Sequence, residues 1–307
     1  MTFLGKIKNT YFPSLPKKLG YSEKDTLVIV NIDDIGMHKD VTDASFKALN
    51  FGMVKGGSIM APCPNFEQAI ELWRESPETG LGVHLTLTCE WGEKYPWTPV
   101  LSKDVVPSLY NPEGIMWPTN EAFFTHAKKD DIKKELEAQI IKVLDTGLKP
   151  SHIDHHMNVY RHPDFLPIII ELSRKYSLFG HIPVRKRYKI PFIKNNLWSL
   201  RRKGFVFPDT LMGAYSGEGQ FLSLDSWEAK YHDYLRSLKP GLHIVKVHIA
   251  SKTKDLQDIA GMHDSSIRQM DYDVWTSKAT KNLADELGIT FINYRPLQNL
   301  QEKLMNK

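Results

Sequence analysis

The sequence predicts an α/β protein: a single-domain (β/α) barrel, closed or distorted, of seven or eight parallel strands. Short apolar, β-branched runs alternate along the chain with stretches of helical spacing, which is the pattern of a parallel sheet with crossover helices. Seven or eight such units without repeats or a linker suit a barrel better than an open doubly wound sheet. The candidate polar residues also fall at the carboxyl ends of the expected strands, where such folds gather their sites.

Residues 1–24 read as an N-terminal extension and 25–307 as the barrel domain. Leu27–Ile32 is the first buried strand, ending in Asp33-Asp34-Ile35-Gly36. Helical spacing follows from Lys39 to Asn50, stopped by Gly52. Ser58–Pro62 is a second strand, and a helix from Asn65 to Glu75 has Asn65 as its candidate cap. Leu81–Thr88 is a third strand carrying His84. The segment from Glu90 to Tyr110, continuing to Trp117-Pro118, is rich in aromatic residues and proline without a period. It reads as a loop bordering the site or as a packed surface loop. Lys129–Asp145 is an amphipathic helix, and Lys149–Asp154 a strand, with Pro163 opening the next helix. His181–Arg185 is a candidate strand, 186–221 has no clear reading, and Ser226–Leu238 is helical. Leu242–Ile249 is a strand delivering His248, Asp264–Glu286 is mostly helical, and Ile289–Tyr294 is the last strand.

The composition is that of an ordinary globular chain: 307 residues, 41% hydrophobic, 25% charged, net charge +4. The short basic groups Arg185–Arg187 and Arg201–Lys203 belong to no nucleic-acid module, so nucleic acid is not an expected partner. Cys63 and Cys89 form no C-x-x-C pattern. No run is long enough to span a bilayer, and no leader peptide is visible, so the expected location is cytoplasmic, or periplasmic or secreted if the chain is a trimmed form. A homodimer is possible on these grounds.

The chemistry concentrates in Ser151–Pro163, where His152, Asp154 and His156 stand at alternate positions. In an extended segment they share one face, and imidazole and carboxylate are ligands for divalent metals. Asp33 and Asp34 are adjacent acids at a strand end, able to divide labour if one ligates a metal and the other moves protons. Asp34, His84 and His156 together give one carboxylate and two imidazoles, a donor set that leaves room for water. His152 and Asp154 then fit as partners that orient the ligands. Arg185 and Arg268 could clamp a carboxylate or orient Asp33, and Trp91, Tyr95 and Trp97 could stack on sugar rings or pack in the core.

Four motifs carry a family resemblance: Asn31-x-Asp33-Asp34-x-Gly36, Gly82-Val-His84-Leu-Thr-Leu-Thr88, His152-x-Asp154-x-His156 and Asp271-Tyr-Asp-Val-Trp-Thr-Ser277. In that order, over about residues 27 to 296, the chain resembles the YdjC-like carbohydrate deacetylases. The resemblance implies a (β/α)-barrel-like fold and hydrolysis of an N-acetyl group on an amino sugar or chito-oligosaccharide, with one divalent ion, Mg2+ or Zn2+. It implies that Asp34, His84 and His156 bind the metal, Asp33 is the base and His248 the proton donor. A metal phosphoesterase and an inactive sugar-binding protein are the competing expectations.

Overall fold

The computed structural model describes residues 14–157, 159–182, 191–213 and 223–306, with side chains of 191–196 left aside. Among these residues eight strands form one parallel sheet: β1 (Thr26–Ile35), β2 (Gly56–Ile59), β3 (Gly80–Leu85), β4 (His152–His155), β5 (Phe179–Gly180), β6 (Thr210–Met212), β7 (Gly241–His248) and β8 (Ile289–Phe291). The spatial order is β5-β4-β3-β2-β1-β7-β6, and β8 pairs with the first half of β1. No pairing joins β5 to β6 among the described residues, so the barrel is distorted rather than closed. Of the described helices, none is long and apolar enough to cross a membrane.

Alternation along the two central strands explains where the site lies. On β1, Val28, Val30 and Ile32 join the large core under the surrounding helices, while Leu27 and Ile29 join a second, inner core. β7 repeats this: Val245, Val247 and Ile249 face the helices, and Leu242 and Ile244 the interior. The strands pair Leu27 with Leu242, Ile29 with Ile244, Asn31 with Lys246 and Asp33 with His248. Successive inward positions therefore change from apolar to polar towards the carboxyl ends. The inner core is the floor, and the polar residues stand on it.

Several boundaries differ from the sequence expectation. β2 starts at Gly56 rather than Ser58, and β5 occupies Phe179–Gly180 rather than His181–Arg185. Residues 183–190, with Arg185, lie outside the described residues, as do 1–13 of the N-terminal extension. Pro163 precedes the helix Phe165–Lys175 instead of opening it. The late helix begins at Lys254, breaks at Gly261 (φ 86°) and runs to Trp275, followed by Lys278–Glu286. Asn65 takes the N-cap position, but its side chain binds Gln68 and accepts from the Tyr95 hydroxyl instead of capping the helix.

Gly82 shows how tightly the interior is fitted. A Cβ there would lie 2.4 Å from the His152 carbonyl oxygen and 2.5 Å from its Nδ1. Gly82→Ala should therefore lower stability by about 2 kcal/mol, as overpacking a rigid core does. Urea denaturation measures this, and an unchanged midpoint would contradict the packing described.

Candidate metal and catalytic site

Asp33 and Asp34 are adjacent on β1, yet each brings a carboxylate oxygen within 4.8 Å of a His84 ring nitrogen. The register between β1 and β2 shifts between Ile32 and Ile35, and Asp34 adopts φ 70°. A bulge of this kind re-aims a side chain next to a site, and left-handed backbone at a non-glycine residue concentrates where function requires it. Both side chains are buried.

The two acids have different partners. Asp34 Oδ1 lies 3.2 Å from His84 Nε2 and 3.0 Å from His156 Nδ1, while its Oδ2 accepts from Arg268 Nη2 at 2.9 Å. Burial alone would raise the Asp34 carboxyl, but electrostatic attraction from His248, Arg268 and His156 outweighs it and holds it well below the usual carboxylate range. Asp33 accepts from Asn31 Nδ2 at 2.7 Å and from Lys246 Nζ at 2.9 Å. Its pKa is raised: burial dominates, Asp154 adds to it, and Lys246 opposes it without cancelling it. One acid is thus a committed anion and the other a better base.

Each of the two histidines is backed by another acid. His84 Nδ1 is 2.8 Å from Asp154 Oδ1 and 3.0 Å from Ser58 Oγ. His156 Nε2 is 2.9 Å from both oxygens of Glu90. Protons on these outer nitrogens leave His84 Nε2 and His156 Nδ1 to share a ligand with Asp34 Oδ1, the arrangement of carboxylate-oriented metal histidines. The three donor atoms lie within 4.8 Å of one another. Burial disfavours charge on both rings, yet the surrounding carboxylates raise His84 to about 9 and His156 to about 10, which favours the protonated rings at neutral pH. Exchanging two such protons for one divalent ion leaves the net charge of the cavity unchanged. The residues therefore fit a divalent metal.

The remaining candidates fall in different places. His248, half-buried, has Nε2 3.7 Å from Asp34 Oδ2. Asp271 accepts from the His248 backbone N–H, from Trp227 Nε1 and from the Tyr231 hydroxyl, so it anchors the end of β7 and not the imidazole. Of the two roles expected for Arg268, clamping a carboxylate or orienting Asp33, the structure shows the first: it binds Asp34 and Asp264. His152 does not orient either ligand histidine. It bonds Ser151 Oγ and stacks on Tyr294 at 3.7 Å, and burial lowers its pKa to about 3. Trp91 lies near the Arg268 guanidinium (5.7 Å), and Trp97 is buried with its indole N–H on the Thr88 carbonyl, so neither offers an open stacking face.

Sequence reasoning gives no site role to Lys246, Ser58 and Glu90, and includes Asn31 only as the first residue of a motif. Lys246 and Asn31 carry a readable signal, since each interrupts the inward alternation of a buried strand. Glu90 carries none, because its place depends on a long loop tied to the helix Lys129–Leu144 by Glu135 and Asp131.

The comparisons agree with the fold and with the motif order. Residues 27–286 match a family model described as YdjC-like protein. A carbohydrate deacetylase of Enterococcus faecalis is 28% identical over 272 residues, 88% of this chain and 97% of that protein. One of Geobacillus stearothermophilus is 36% identical over 150 residues, and one of Brevibacillus brevis 37% over 158 residues. Those stretches cover 49% and 52% of this chain and only 57% and 58% of the relatives. A crystal structure from Enterococcus faecalis, named for cellobiose-phosphate cleavage, has a TM-score of 0.73 at 27% identity, covering 89% of this chain and 99% of that one.

The proton inventory makes metal binding measurable. Between pH 7 and 8.5, one divalent ion should displace about two protons, and affinity should rise with pH until about 9 to 10. The linkage has the opposite sign in chelator-treated protein. Stabilisation from the raised histidines is complete below the ordinary value of 6.5 and disappears as pH rises through about 9 and 10. Calorimetric titration in buffers of different ionisation enthalpy counts the protons, and pH-independent metal affinity would contradict the ligand assignment.

Proposed function

The chain belongs to the YdjC-like family, and from that premise we propose that it is a hydrolase that removes N-acetyl groups from acetylated amino sugars or chito-oligosaccharides with the help of one divalent ion. The observation that carries the reading is the split between two adjacent acids. Asp34 is bound to the two histidines and an arginine, while Asp33 is bound instead by Asn31 and Lys246 and has a raised pKa. The names of the aligned relatives, carbohydrate deacetylases, support the same class.

Asp34, His84 and His156 would hold the ion. A divalent ion in such a place supplies Lewis acidity, polarising the amide carbonyl and making water easier to deprotonate. Asp33 takes one proton from the water whose oxygen bonds to the acetyl carbon. His248, half-buried beside Asp34, gives a proton to the amide nitrogen as the C–N bond breaks. The products are acetate and the free amino sugar. Asp154 and Glu90 keep the ligand rings from rotating, and Arg268 fixes Asp34 from its second oxygen.

Acetate released from N-acetylated chito-oligosaccharides should be lost with a chelator and recovered with Zn2+ or Mg2+. Asp33→Asn should lower kcat by roughly 100- to 10,000-fold. No acetate from a broad panel of acetylated sugars, with several metals supplied, would sink the reading.

A further inference from the structure

Lys246 is accounted for neither by the metal ligands nor by the proton steps. It stands on the inner face of β7 opposite Asn31 of β1, with its side chain buried. Its ammonium donates to Asp33 Oδ2 at 2.9 Å and to Asp154 Oδ2 at 2.8 Å. Those two acids and His84 form a second group whose donor atoms lie within 4.8 Å of one another, sharing His84 with the first.

By composition alone, two carboxylates and an imidazole would suit a metal as well as the first group does. Many hydrolases fill adjoining groups of this kind with two ions about 3.5–4 Å apart. Two buried carboxylates this close need a cation between them if both are to stay ionised. Here that cation is part of the chain. An ammonium tethered to a central strand and donating to both acids is always at hand, whereas a dissolved ion would have to displace it. Burial disfavours the charge, but Asp154 and Asp33 raise the Lys246 pKa, so it stays charged.

We propose that Lys246 is a positioning residue that serves as the fixed second cation of the site, holding the Asp33 carboxylate in place and keeping a second metal ion out of the Asp33, His84 and Asp154 group. The part that concerns turnover rests on the deacetylase reading above; the part that concerns metal stoichiometry does not.

Lys246→Met removes the charge at similar length, and Lys246→Gln serves if the methionine variant does not fold. Equilibrium dialysis against Zn2+ should give one equivalent per chain for the wild type and two for the variant. With acetylated chito-oligosaccharide, kcat of the variant should fall at least 100-fold while KM stays within threefold. One equivalent in both proteins overturns the fixed-cation role, and a variant kcat within threefold of wild type overturns the positioning role. The dialysis is read without substrate. A wild type that released no acetate would therefore defeat the deacetylase reading and leave the stoichiometry still decisive.

Discussion

Asp34 adopts a left-handed backbone inside a strand, and the rest of the site is arranged around that irregularity. On one edge of β1 the pairing with β7 runs unbroken to Asp33 and His248; on the other the register with β2 shifts between Ile32 and Ile35. Strain of this kind costs on the order of 1–3 kcal/mol and persists only where the surroundings over-determine it. Here Arg268, His84 and His156 converge on Asp34, and Asn31 and Lys246 on Asp33. In a regular strand the two carboxylates would point to opposite faces, one of them into the apolar core beneath the helices.

Paired charges then set the protonation of the two histidines. Asp33, Asp34, Asp154, Glu90 and Asp264 surround the two histidines and their partners, with Lys246 bridging Asp33 and Asp154 and Arg268 bridging Asp34 and Asp264. His84 and His156 lie among these acids, each ring against two carboxylates. Stability and pH are linked through these two rings, whose pKa values the carboxylates raise.

Much of this was legible in the sequence because strand alternation and the barrel's carboxyl-end rule act locally. Asp33, Asp34, His84 and His156 sit where their strands end, and the fold class follows from the recurring buried runs. His152 shares the inward face with Asp154 as period two requires, but it lies one step deeper, against Tyr294 on the apolar floor. β5 and β6 span two and three residues, too short to show any period. Which carboxylate Arg268 clamps is not legible because its position depends on a helix broken at Gly261, and Glu90 gives no signal because its loop is positioned by packing. Lys246 was readable but overlooked, a single charge in an otherwise apolar run.

The central claim is that Asp34, His84 and His156, and not Asp33, His84 and Asp154, form the metal site. Anomalous diffraction from crystals grown with Zn2+ tests it most directly. The account predicts one peak among Asp34 Oδ1, His84 Nε2 and His156 Nδ1, with Lys246 still bridging Asp33 and Asp154. A peak between Asp33 and Asp154, or the absence of any peak at the three donors, would contradict it.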